Sequence, residues 1–209
     1  MKRFLFIPFL FLVTQLNFAQ INAVTNTGEQ VVLYRDGTWK YVNEENSEPK
    51  EIPINKEKFT KDKDASFLVK SNNLNVGIWI NPKKWSFTKE GKNKDAEFSF
   101  QLKKEDLYAM LIAEKIQIPI ETLKEIALEN ARNVSSDIKI VKEEYRNVNG
   151  IKVLMLQLQG KIKGIKFTYC GYYYSNANGS MQLITYTGGG LFENYKKDIE
   201  LFLNGLVEL

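Results

Sequence analysis

Over most of the last two thirds of the chain, apolar and polar positions alternate with a period of two, and the period lengthens toward 3.6 in only two places. Residues 67–70 and 76–80 read as short strands separated by Asn72-Asn73, and 96–102 and 107–116 as longer ones. Pro119 then opens a helix to about Val134, with Leu123, Ile126, Ala127 and Val134 on one face. Strands follow at 138–145, 152–159, 165–175 and 181–187. They are joined by turns at 147–150, 160–164 and 176–179 that are too short for anything but antiparallel neighbours. A closing helix over 191–207 carries Phe192, Tyr195, Ile199, Phe202, Leu203 and Leu206 on one face. Two helices among many closely connected strands predict an α+β domain over 66–209, an antiparallel sheet packed with two long helices.

The pattern before residue 66 differs. Lys2 and Arg3 precede ten apolar residues, Phe4 to Val13, and Asn17-Phe18-Ala19 ends in a small residue. This predicts a signal peptide over 1–19, because a ten-residue helix spans only about 15 Å against a hydrocarbon core of about 30 Å. No transmembrane anchor is expected, and no Cys follows that would take a lipid. Residues 20–43 alternate around Asn26-Thr27-Gly28 and Asp36-Gly37, the pattern of a three-stranded β-meander. So short a meander lacks a core of its own and must dock or stay marginal. Across 44–64, 12 of 21 residues are charged, with Pro49 and Pro53, so 44–65 reads as a charged linker. The alternative is that Ile52-Pro53-Ile54 lies in an edge groove of the following domain.

Composition then removes chemistry. The 209 residues include no His and one Cys. That excludes His-dependent nucleophile systems, HExxH zinc sites, thiolate zinc clusters, CxxC pairs and intramolecular disulfides. No metal or cofactor is expected. Without the leader's Lys2 and Arg3, the 29 basic residues fall to 27 against 25 acidic ones, too balanced for a nucleic-acid surface. Cys170, alone after export, is expected to be buried and inert.

Two resemblances add to this. The string Val31 to Tyr41, with Asp36-Gly37-Thr38-Trp39 and Tyr41, resembles a short element that follows the signal in many exported proteins of the Bacteroidetes. The short strand pair, then Asn81-Pro82-Lys83-Lys84-Trp85, a helix, a four-strand meander and a closing amphipathic helix resemble the PsbP-like fold. That resemblance implies an α/β/α sandwich and a protein that works by binding partners rather than by catalysis.

Candidate site residues are few. Tyr172 and Tyr174 share a face of strand 165–175, and with Tyr186 from the next strand they would form an amphipathic surface for a protein or glycan partner. If the helices cover both sheet faces, they are core residues with hydroxyls at the rim. Trp39 adds an aromatic candidate on the meander. Glu114 is the carboxylate in an apolar strand, on the face of Tyr108, Met110, Ile112 and Ile116. Enclosure there would favour the protonated state a general acid needs, while a place at the strand end would leave it an ordinary surface residue. Thr187-Gly188-Gly189-Gly190 lacks the Lys of a P-loop and reads as a connection. The leading expectation is an exported, non-enzymatic binding module of the bacterial envelope that contacts a protein or another envelope component. The alternatives are a small-ligand or lipid carrier with a cleft between the sheet and the last helix, and a hydrolase built on Glu114.

Overall fold

The computed structural model describes residues 21–24, 30–34, 37–41, 51–89, 91 and 93–209. The expected signal peptide 1–19, the first turn of the meander and residues 42–50 lie outside the described residues. The chain divides into two units, 1–51 and 52–209. In the first, β1 (Ile21–Val24), β2 (Gln30–Leu33) and β3 (Trp39–Tyr41) pair antiparallel in the order β1-β2-β3. Gly37, at φ 85°, supplies the left-handed residue of the second turn.

The second unit contains, in order, β4 (Ile54–Phe59), β5 (Phe67–Lys70), β6 (Val76–Ile80), β7 (Trp85–Thr88), β8 (Phe98–Leu102), β9 (Leu107–Glu114), α1 (Ile120–Val134), β10 (Lys139–Val148), β11 (Ile151–Ile162), β12 (Ile165–Asn176), β13 (Gly179–Gly188), α2 (Phe192–Leu203) and β14 (Leu206–Glu208). An eight-stranded sheet runs β4-β10-β11-β12-β13-β9-β8-β7, and a three-stranded one runs β14-β6-β5. Every pairing is antiparallel except β4 with β10.

The meander β10 to β13 forms because its turns demand positive φ and the sequence supplies residues that tolerate it. Asn149-Gly150 (φ 49° and 92°) and Lys163-Gly164 (φ 51° and 82°) close two hairpins in two residues each. The strands therefore run longer than their hydrophobic patterns suggest: β11 reaches Ile162, so the expected turn at 160–164 shrinks to Lys163-Gly164.

Each face of the large sheet carries its own core. On one face Leu107, Leu111, Val153, Met155, Tyr172, Met181 and Leu183 meet α2 through Phe192, Ile199, Phe202 and Leu203, and meet the small sheet through Val69, Val76, Ile78 and Ile80. Trp85 stacks on Phe202 at 4.2 Å between centroids, just after the Asn81–Lys84 turn. On the other face Leu154, Leu156, Leu158, Phe167, Tyr173 and Ile184 receive the stripe Leu123, Ala127, Leu128, Ala131 of α1. Glu121 in the first turn of α1 and Arg132 in its last complement the helix dipole.

Three expectations change. The helices are short, 15 and 12 residues, or about 22 and 18 Å. The closing helix stops at Leu203 because Gly205 lies against the Trp79 carbonyl, where a Cβ would overlap it, and Leu206–Glu208 leaves the helix to pair with β6. Within the expected linker 44–65, the alternative holds instead: Ile52-Pro53-Ile54 lies along the sheet edge and Ile54–Phe59 forms β4, held by Tyr145 N donating to Pro53 O (2.8 Å) and Asn149 N to Phe59 O (2.9 Å).

A buried polar knot fixes that edge. Arg146 donates through Nε to Glu144 Oε1 (2.6 Å) and through Nη1 to the Tyr172 hydroxyl (3.2 Å), which in turn donates to Asn204 Oδ1 (2.7 Å). Asn55 Nδ2 of β4 donates to Glu144 (3.2 Å), and the guanidinium lies 4.3 Å from the Phe59 ring centroid. Burial pushes the Glu144 carboxyl upward, but the bonds from Arg146 and Asn55 outweigh it and hold it below the ordinary value.

Arg146→Ala is expected to lower stability by about 3 kcal/mol in urea melts, since it strips the buried Glu144 of its guanidinium partner and leaves it only Asn55 and the half-exposed Lys142. Because the folded carboxyl titrates below the unfolded one, its contribution is present above the ordinary glutamate value of about 4.3 and is lost as pH falls through the depressed folded value. Urea midpoints measured down to acid pH should fall less steeply in Glu144→Gln than in the wild type; equal slopes would show that the knot does not titrate.

Candidate functional site

One helix on the α1 face leaves half of that face open. Strand register lines up the exposed positions in rows. Tyr169 of β12 pairs with Tyr186 of β13, Tyr186 with Tyr108 of β9, Tyr108 with Gln101 of β8, and Gln101 with Ser86 of β7. The next row runs Gly171, Ile184, Met110, Ser99, Thr88. A third pairs Tyr173 with Gln182 and Gln182 with Ile112. α1 covers the β11 and β12 end of these rows; beyond Ile184 they are bare.

Two hollows sit on the rows and share Asn93 and Met110. A trough of about 740 Å3 is lined by Ser86, Thr88, Ser99, Gln101, Tyr108 and Tyr186, among others. A deeper hollow of about 280 Å3 lies beside α1, lined by Met110, Ile112, Ala131, Tyr169, Tyr173 and Gln182, among others. The connection between β7 and β8 borders both. Asn93 Nδ2 reaches Met110 Sδ at 3.4 Å, and a Cβ on Gly91 would overlap the Ser99 side chain, so the chain passes close over β8.

The aromatic side is a stack. The rings of Tyr108 and Tyr186 lie 5.5 Å apart at 20°, and Tyr169 meets Tyr186 edge-on at 6.0 Å and 69°. Burial raises the Tyr186 phenol above its ordinary value, with Tyr108 adding to it, and does the same for Tyr169, with Tyr186 adding. Burial pushes Tyr173 higher still. These phenols are neutral donors and acceptors at any physiological pH.

Hydrogen bonding in the deep hollow is incomplete. Gln182 is 7% exposed and Tyr173 2%. Among the described residues, neither the Gln182 amide nor the Tyr173 hydroxyl has a hydrogen-bond partner, although the two are cross-strand neighbours. The Tyr169 and Tyr186 hydroxyls are unpaired in the same sense. Other hydroxyls of the sheet bond within the fold: Thr185 Oγ1 donates to Cys170 O (2.7 Å), Thr187 Oγ1 to Asp106 O (2.7 Å), and Ser180 Oγ to Ile116 O (2.7 Å). Thr168 Oγ1 is buried without a partner outside the hollow, whereas the polar atoms of Gln182 and Tyr173 open into it.

The sequence-predicted residues scatter. Tyr186 lies in the trough. Tyr172 does not accompany it: Tyr172 is fully buried on the opposite face, inside the Arg146 knot. The two-residue turn at 177–178 pairs even positions of β12 with odd positions of β13, so Tyr186 shares a face with Tyr169 rather than with Tyr172 and Tyr174. Tyr174 sits at another edge, its hydroxyl bonded to Glu208 (3.2 Å) and Asn176 (3.0 Å). Trp39 belongs to the N-terminal unit, 52% exposed with its ring 5.0 Å from that of Tyr41. Glu114 is exposed at the end of β9 opposite Ser180, without the apolar enclosure a general acid requires. The expected cleft between the sheet and the last helix is filled core, and the open space lies on the α1 side. Sequence reasoning missed Tyr108, Tyr169, Tyr173 and Gln182 as a group; the alternation of β9 and β12 marked their faces, but not the register that joins them.

No protein-family model matches the chain, and neither does any curated protein. Solved structures do. The PsbP protein CyanoP of Synechocystis sp. PCC 6803 superposes with a TM-score of 0.51 at 11% identity, covering 68% of this chain and 92% of that one. LpqN of Mycobacterium tuberculosis, a protein involved in cell envelope biogenesis, gives 0.46 at 10% identity, covering 68% and 88%. A protein of unknown function from Pseudomonas aeruginosa gives 0.43 at 14%, covering 68% and 95%. The chain has the PsbP-like fold. Among the described residues, no helix is long and apolar enough to cross a membrane.

Cys170 is buried, and burial raises its thiol to about 12. The thiolate is therefore absent at pH 8, and a disulfide reagent should label Cys170 only after unfolding in guanidinium. Rapid stoichiometric labelling of the native chain would contradict this.

Proposed function

We propose that this chain is an exported, non-enzymatic binding protein of the bacterial envelope, and that its recognition site is the groove over β13, β9 and β8. The observation that carries this reading is the set of neutral hydrogen-bonding groups left unpaired along the groove, Gln182 and Tyr173 above all. These groups bond to nothing in the fold and open into the hollow, so they are free to hydrogen-bond a partner without breaking any internal bond. The described groove residues also include no nucleophile beside a base. The aromatic stack supplies rigid contact area, as binding surfaces commonly do.

Export rests on the sequence, where Lys2, Arg3 and Phe4 to Val13 have the form of a signal segment and the only Cys is kept inert in the core. In this reading the N-terminal meander is an accessory element, with Trp39 as a separate contact, and the linker joins it to the PsbP-like domain.

The test uses full-length chain and bacterial envelope material immobilised on beads. Met110 touches both hollows, so Met110→Trp should fill the junction and cut retention by about tenfold, or 1.4 kcal/mol. Its circular dichroism and Tm should match the wild type. Equal retention of the folded variant, or no retention of the wild type, rejects the groove as the recognition site.

A further inference from the structure

The groove's chemistry narrows what can occupy it, given the reading of the groove as the recognition site. Its described uncharged polar groups are amides, phenols and aliphatic hydroxyls, among them Gln182, Asn93, Gln101, Tyr169, Tyr173 and Ser99. Asp95 is the one carboxylate among the described lining residues, at the α1 end. No described Lys or Arg lines either hollow, so none of the described lining residues pairs with an anionic ligand.

Two further ligand classes fit poorly. Peptides that bind sheets add to a free strand edge, but β13, β9 and β8 are each paired on both sides, and the free edge, that of β7, lies three strands from Gln182 and would leave the deep hollow unfilled. An acyl chain would gain nothing from the unpaired amide and phenols and would bury them more deeply, at further cost.

We infer that the groove binds an uncharged, polyhydroxylated ligand, a short neutral oligosaccharide. Sugar rings present an apolar C–H face and a rim of hydroxyls that both donate and accept. Tyr186 covers one face of the Tyr108 ring, and Tyr108 lines the trough beside Gln101, Ser99 and Ser86. One sugar stacks on Tyr108 while its hydroxyls meet that polar floor. The neighbouring unit passes Met110 into the deep hollow, where its hydroxyls pair with the Gln182 amide and the Tyr173 phenol. Amides and phenols serve such a ligand equally well because each can take either role with a hydroxyl.

The assignment predicts an unusual separation of stability from binding. Gln182 and Tyr173 lie in a largely buried stretch but bond to no other part of the protein, so an apolar replacement of similar shape breaks no internal hydrogen bond and is neutral or better. Gln182→Leu and Tyr173→Phe should therefore keep or raise Tm while weakening the ligand about tenfold each. Tyr108→Ala should weaken it by a similar factor through loss of the stacking face.

The experiment screens the full-length chain against an array of uncharged oligosaccharides, together with anionic oligosaccharides, an uncharged tetrapeptide and a medium-chain fatty acid. Hits are followed by calorimetry at ligand up to about 10 mM. Binding of a neutral oligosaccharide, lost in Gln182→Leu and Tyr173→Phe at unchanged or higher Tm, supports the assignment. Binding of only the anionic, peptide or acyl probes overturns it, as does neutral-glycan binding indifferent to these variants. If no probe binds while Met110→Trp still abolishes retention on envelope material, the glycan assignment falls and the groove stands as the recognition site. If Met110→Trp changes nothing, both fall.

Discussion

A width mismatch governs this molecule. Eight strands at about 4.8 Å spacing make a sheet roughly 34 Å across, whereas one helix with its side chains covers about 10–12 Å. On the α2 face the deficit is filled by a second sheet, β14-β6-β5, and the core there is continuous from Val148 to Trp85. On the α1 face the described residues fill it only in part, where Gly91 and Asn93 of the β7–β8 connection lie over β8 and β9. α1 takes the β11 and β12 end, where Leu154, Leu156 and Leu158 require apolar cover, and the rest becomes the groove. The residue types follow the boundary: aliphatic under the helix, tyrosine and methionine at its margin, glutamine and serine beyond.

The position of α1 depends in turn on what holds the far edge of the sheet. β10 would be an edge strand rich in charge, with Lys139, Lys142, Glu143, Glu144 and Arg146. β4 covers it through irregular parallel pairing, an arrangement weak in main-chain bonds. The Arg146 knot compensates by joining β4, β10, β12 and the end of α2 through side chains. Buried ion pairs contribute little net stability against apolar substitutes but punish misalignment heavily. The knot therefore acts as a register pin: slipping β10 by one residue would place Arg146 on the α1 face, away from Tyr172 and Asn204.

Much of this was legible in the sequence. The strand positions, α1 from Pro119, the Asn-Gly turn and the burial of Cys170 all follow from local pattern, because period and turn chemistry are local properties. β4, β7 and β14 were not legible, since Ile54-Asn55-Lys56-Glu57-Lys58-Phe59 has the composition of a linker and becomes a strand only when β10 offers its edge. The site failed for a related reason. Tyr186 lies on the other face from the companions expected for it, because face membership within one strand is a matter of counting, while face membership across strands depends on a register set by where a hairpin turns. A turn of two residues rather than three changes which tyrosines meet.

Register also explains why the groove's polar groups remain exposed to each other rather than satisfied by the fold. In the row Tyr173–Gln182–Ile112 the partners available to Gln182 are a phenol held upright by Leu154 and the α1 core on one side, and an aliphatic chain on the other. Gly171 deepens the hollow beside them, and a side chain there is disfavoured because its Cβ would come within 2.8 Å of Leu183 O. A leucine at 182 would fit this environment with no polar debt. Gln182 instead opens into the hollow, with Tyr169 and Tyr173 beside it, so the groups gathered at this place in the sheet are ones that hydrogen-bond and stack.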